Sequence, residues 1–168
     1  MRIFIGILNL IEKILRLATS CLFVVMVASI AYQIVLRYIF SKANPWSEEL
    51  ARYSFVWLVM LAASLGARHG RHMCIGFLVE RFPAPLRAFV GMATRLLAIF
   101  FFLVLGYKGA ELCSFTLHQT STGLEVPMAY IYLAIPVGAF IMVLFSVEEI
   151  LCMMKGVPSS AVSEKEAV

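Results

Sequence analysis

The residues of this chain best suited to chemistry are three histidines and four cysteines. His69 and His72 are three apart, a spacing that suits one helix face and could suggest a metal pair. They sit among Arg68 and Arg71, whose charge repels a metal ion, and no carboxylate or third histidine lies close in sequence. The stretch therefore reads as a basic loop touching lipid headgroups, and no metal is expected. His118 stands alone. Cys21, Cys74, Cys113 and Cys152 are widely spread, with no C-x-x-C pair and no zinc spacing. Cys21, Cys113 and Cys152 lie in or beside apolar runs, where a free thiol behaves as a small hydrophobe. A transmembrane haem would need histidines inside the apolar runs, and a disulfide-generating enzyme would need paired cysteines; both are missing. No catalytic residue and no cofactor is expected, and the chain does not read as an enzyme.

One ionisable residue, Arg95, lies well inside an apolar run. An intramembrane charge is costly and is by default a functional candidate. Seven residues past Ala88, it would sit about 10 Å in from the near boundary, where it could snorkel, pair within the chain or meet a carboxylate on a partner. No acidic residue falls within the four apolar runs. Cation-coupled carriers usually place Asp or Glu there, so the transport site itself is not expected in this chain.

The elements that would hold these residues follow from composition. Of 168 residues, 62% are hydrophobic and 14% charged, and the mean hydropathy is +0.92. The expected fold class is an all-α membrane protein with four transmembrane helices, at about 14–37, 45–69, 86–107 and 127–149. They form one domain, 1–156, followed by a polar cytoplasmic tail, 157–168. The first run is too long for a signal h-region and reads as a permanent span. Only fifteen uncharged residues, Tyr53 to Ala67, separate Arg52 from Arg68. The second helix must therefore be longer than its apolar part. Asn44 as N-cap and Pro45 at the first helical position supply a start, with Glu48 and Glu49 in the first turns and an interfacial Trp46. Pro136 in the fourth span implies a kink or a freed carbonyl. One set of flanks holds nine basic residues, Arg2, Lys13, Arg16, Arg68, Arg71, Arg81, Arg87, Lys155 and Lys165; the other holds Arg37, Lys42, Arg52 and Lys108. The positive-inside rule puts both termini in the cytoplasm. Basic residues dispersed among loops are not a nucleic-acid footprint.

The stretch from Asn44-Pro-Trp-Ser-Glu-Glu-Leu-Ala-Arg52 into Trp57 resembles the small membrane subunit of the tripartite ATP-independent periplasmic (TRAP) transporters. Gly66-Ala-Arg-His-Gly-Arg-His72 through Phe82-Pro83 is similar to that family's basic loop, although Gly76 stands where the family usually has Asp. Leu124-Glu-Val-Pro127 through Tyr130, Ala134-Ile-Pro136 and Gly138 resembles the start of its last helix. The similarity covers about residues 10–155.

The resemblance implies a four-helix scaffold beside a large TRAP permease subunit in a bacterial inner membrane. It also implies a periplasmic substrate-binding protein and sodium-driven uptake of an organic acid such as a C4-dicarboxylate or sialic acid. The large subunit would hold the substrate and sodium sites. Trp46, Glu48, Glu49 and Arg52 become candidates for a cluster anchoring helix two, with Arg95 a candidate at an interface. Arg68, Arg71 and Arg87 become candidates for topology and lipid contact. Two other readings stay open: a self-contained oligomeric transporter like the small multidrug exporters, and a membrane anchor for a redox complex. The first needs a buried acid in its first span; the second needs intramembrane His or paired Cys.

Overall fold

The computed structural model describes residues 2–41, 44–68 and 84–154, with side chains described for 6–41, 44–68, 86 and 90–151. Among these residues the chain is helical: α1 (Arg2–Ile39), α2 (Pro45–Arg68), α3 (Ala84–Phe115), the single turn α4 (Ala129–Tyr132) and α5 (Ala134–Met154). The polar tail expected at 157–168, and the loop holding His69, Arg71 and His72, lie outside the described residues.

Four segments are long and apolar enough to cross a membrane: Gly6–Ile39, Pro45–Arg68, Val90–Phe115 and Ala129–Leu151. Three helices depart from their expected limits. α1 begins about three turns before the expected span, because residues 6–17 carry a helical repeat of their own. Leu8, Glu12 and Leu15 face inward, while Ile7, Leu10, Ile14 and Leu17 face outward. α3 continues eight residues past 107, through an i,i+3 pair between Lys108 and Glu111 that suits a helix surface. The fourth crossing is interrupted at Leu133. The ladder is kept on either side, by Leu133 N–H donating to the Ala129 carbonyl (2.9 Å) and Val137 N–H to the Leu133 carbonyl (3.2 Å). Pro136 has no N–H to give to Tyr132, so the break falls where the expected kink should be. α2 starts at Pro45 as expected, with Ser47 Oγ donating to the Asn44 carbonyl at 3.0 Å.

The helices pack in a row rather than each against all the others. α1 packs on α2, α2 on α5, and α5 on α3, so α2 and α5 are inner helices and α1 and α3 are flanks. None of the most apolar window of α3 is buried. In lipid, apolar association gives no hydrophobic gain, so helices hold together by close contact and polar bonds. The seams are accordingly built from small residues. Ala134, Ala139, Ser64 and Ser47 are buried. Ser64 Oγ reaches the Gly138 carbonyl of α5 at 3.1 Å, and a Cβ on Gly138 would stand 3.0 Å from Met60 Cβ of α2. On the other seam, a Cβ on Gly109 of α3 would stand 2.8 Å from Ile135 Cγ2 and 3.0 Å from Pro136 Cδ. A larger core of Leu8, Leu15, Leu61 and Phe145 joins α1, α2 and α5 at one end.

Gly109→Val is expected to force α3 off α5 and lower stability by about 1–3 kcal/mol, the usual cost of overpacking. Gly6→Ala, where a Cβ meets nothing within 4 Å, is expected to be neutral or slightly stabilising. Thermal unfolding of both variants in detergent checks the contrast.

Candidate functional site

Two polar clamps hold the apolar slab, one near each end. The first centres on Arg68, the last residue of α2, whose side chain is 1% exposed. Its Nε and Nη2 donate to the two carboxylate oxygens of Glu148 on α5, both at 3.1 Å. Its Nη1 donates to the Leu8 carbonyl (2.9 Å) and to Glu12 Oε2 of α1, and Nη2 also reaches Asn9 Oδ1. The planar fork meets both carboxylates at once, which a lysine could not reproduce. The guanidinium also lies 5.0 Å above the centre of the Phe145 ring. Arg16, one turn on from Glu12, reaches back to the same carboxylate through Nε at 3.0 Å.

The next residue of α5 extends this layer to the last helix. Glu149 Oε1 accepts from Arg95 Nη2 of α3 at 2.8 Å, while Arg95 Nη1 donates to the Gly91 carbonyl at 3.0 Å. Adjacent residues on a helix point about 100° apart. Glu148 and Glu149 therefore serve opposite neighbours, and one layer of ions ties α1, α2, α5 and α3.

The second clamp is at the far end. Glu49, in the second turn of α2 and 9% exposed, accepts from Gly123 N–H (3.0 Å) and Thr122 Oγ1 (2.9 Å) on one oxygen and from Leu124 N–H (3.0 Å) on the other. The connection it grips is a tight hairpin. Thr120 pairs with Pro127, Met128 N–H donates to the Gln119 carbonyl at 2.8 Å, and Glu125 takes the left-handed turn conformation at φ 54°.

The residues expected at sites sort as follows. Trp46, Glu48, Glu49 and Arg52 do not form one cluster. Glu49 turns inward, and Trp46 packs its ring 5.8 Å from that of Tyr32 on α1. Glu48 and Arg52 form a separate exposed pair at 2.9 Å, worth a few tenths of a kcal/mol as surface i,i+4 pairs are. Arg95 pairs within the chain rather than pointing only to lipid. Arg68, expected at the lipid boundary with Arg71 and Arg87, is instead buried against carboxylates. The side chains of Arg71 and Arg87 lie outside those described. The expectation that the spans bury no acid needs correction. Glu12 and Glu148 are both buried within membrane-length helices, engaged with Arg68. Among the described residues, no group of three or more His, Cys, Asp or Glu side chains could hold a metal ion.

Fold and clamps together define a small multi-pass membrane subunit whose buried charges serve its own helix contacts. Residues 26–156 match the family described as tripartite ATP-independent periplasmic transporters, DctQ component. The chain belongs to that family: it is a TRAP small permease subunit, a transporter component rather than an enzyme, and a multi-pass protein of the inner membrane. Among its relatives, the sialic acid TRAP transporter small permease protein SiaQ of Vibrio cholerae is 30% identical, the match covering 92% of this chain and 90% of that one. A putative TRAP transporter small permease protein of Haemophilus influenzae is 25% identical over 85% of this chain and 88% of its own. The C4-dicarboxylate TRAP transporter small permease protein DctQ of Rhodobacter capsulatus is 35% identical over 58% of this chain and 44% of its own.

Arg68→Ala is expected to leave two buried carboxylates without their shared partner and to destabilise by roughly 3–5 kcal/mol, the cost of breaking a buried pair. Arg52→Ala, at an exposed pair, should change stability little. Chemical denaturation of the purified variants compares them. Glu49→Ala is expected to free the 119–128 hairpin, seen as faster hydrogen exchange at Gly123 and Leu124 with the helices unaffected.

Proposed function

We propose that this chain scaffolds a large TRAP permease subunit in sodium-driven, binding-protein-dependent uptake of an organic acid. The observation that carries the reading is its match to small permease proteins along nearly the whole chain. The relatives' names point to a sialic acid or a C4-dicarboxylate as the substrate class. A further relative, the sialic acid TRAP transporter permease protein SiaT of Haemophilus influenzae, matches 79% of this chain within only 21% of its own length, at 30% identity. That proportion suits a small subunit working beside a much larger permease part. The ion layer supports a rigid scaffold role, since its charges are spent on helix contacts rather than left open to a substrate.

In this reading both termini are cytoplasmic, by the positive-inside count, and the hairpin held by Glu49 faces the periplasm with the soluble binding protein. Trp46 and the exposed Glu48–Arg52 pair remain interface candidates on that face, and Arg71 and Arg87 lipid contacts on the other. The test is co-purification of the tagged chain, expressed from its native gene cluster and extracted in mild detergent. A large permease recovered in stoichiometric amount, with sodium-dependent uptake after reconstitution with the binding protein, is the expected result. Recovery of this chain alone as a stable homo-oligomer would refute the scaffold role.

A further inference from the structure

Two layers of charge bound the apolar parts of α2 and α3, and on these two helices they stand close. On α2, the fifteen residues from Tyr53 to Ala67 separate Arg52 from Arg68, so the two arginines are about 24 Å apart along the helix. On α3, the twelve residues from Leu96 to Tyr107 separate Arg95 from Lys108, about 20 Å. An ordinary hydrocarbon core is about 30 Å thick. Length alone would be weak, because a long cation can snorkel. Here one layer is held in place: Arg68 is bonded to Glu148 and Glu12, and Arg95 to Glu149 and the Gly91 carbonyl.

The layer also cannot lie deep in the hydrocarbon. Arg16 is half-exposed and reaches back to Glu12, which puts an exposed cation at the level of Arg68. On the opposite side the bounding charges are exposed too. Arg52 pairs with Glu48 and Lys108 with Glu111, and each pair leans toward its own helix end. α1, with twenty uncharged residues from Leu17 to Leu36, can tilt to match a thin slab; α2 and α3 cannot stretch to match a thick one.

We infer that the surface presented by α2 and α3 fits a thinned bilayer, and that lipids with short acyl chains are its preferred partners. The spacing between a fixed inner charge layer and an exposed outer one sets that thickness. The inference concerns the chain's lipid contacts and stands apart from which permease it serves.

The experiment reconstitutes the full-length chain into phosphatidylcholine vesicles of graded chain length: myristoleoyl, palmitoleoyl, oleoyl, eicosenoyl and erucoyl. Thermal stability is read in each, together with quenching of Trp46 and Trp57 by the brominated lipid in mixed bilayers. The expected result is highest stability and strongest lipid association in the myristoleoyl or palmitoleoyl bilayer. Lys108→Leu combined with Glu111→Leu removes exposed charges and extends the uncharged run of α3 from Leu96 to Phe115. That variant is expected to move the optimum toward longer chains by at least one member of the series. An optimum at oleoyl or longer for the native chain, a flat profile, or an unmoved optimum in the double variant would overturn the inference.

Discussion

The guanidinium of Arg68 is the point on which the rest of this structure depends. Lipid provides no drive for apolar helices to associate, so a thin assembly of four needs directed bonds. Arg68 supplies them to two carboxylates at once, and the adjacent Glu149 carries the layer onward to α3. Remove this layer, and α1 keeps its apolar packing through Leu8 and Leu15 against Leu61 and Phe145, while α3 keeps its small-residue seam with α5. Burying ions is costly unless each finds a partner of opposite charge, and here carboxylates and guanidiniums alternate from helix to helix.

Carboxylates do two different jobs in the chain. Glu148 and Glu12 neutralise a buried cation and join helices. Among the described residues Glu49 meets no cation; it gathers two backbone N–H groups and a threonine hydroxyl of a loop that would otherwise need water. The first job makes the helices one body. The second fixes the shape of a connection outside it, so that the 119–128 hairpin is presented in one conformation rather than many.

Much of this was legible in the sequence. Four uncharged runs, the second of them short and completed by the interfacial turns before it, together with the Asn44-Pro45 start and Pro136, foretold the crossings, the start of α2 and the break in the last one. The exposed Glu48–Arg52 pair has the i,i+4 spacing that places two residues on one helix face. The Arg68 layer was not legible in this way, because its partners lie 56 and 80 residues away in the chain and no local pattern joins them. A signal was nonetheless present. Glu12 falls in register with Leu8 and Leu15 on the inward face of α1, and the Glu148-Glu149 pair closes the fourth run just as Arg68 closes the second. Counting apolar residues treats such groups as boundaries; it does not ask whether the boundary charges of one helix balance those of the next. The inward turn of Glu49 was hidden for the same reason, since its donors are backbone groups more than 70 residues on.

The order in which the helices pack differs from the order in which they are made. α1 and α2 are neighbours in the chain and in space, so they can form a hairpin with Arg68 already on Glu12 as soon as both have left the ribosome. α3 emerges next, yet the helix it leans on is α5, which is made last. Until α5 is made, Arg95 and Gly109 have no native seam to enter, and Arg68 lacks Glu148. The seams of α2 and α3 with α5 therefore cannot form until the last of these helices has been made.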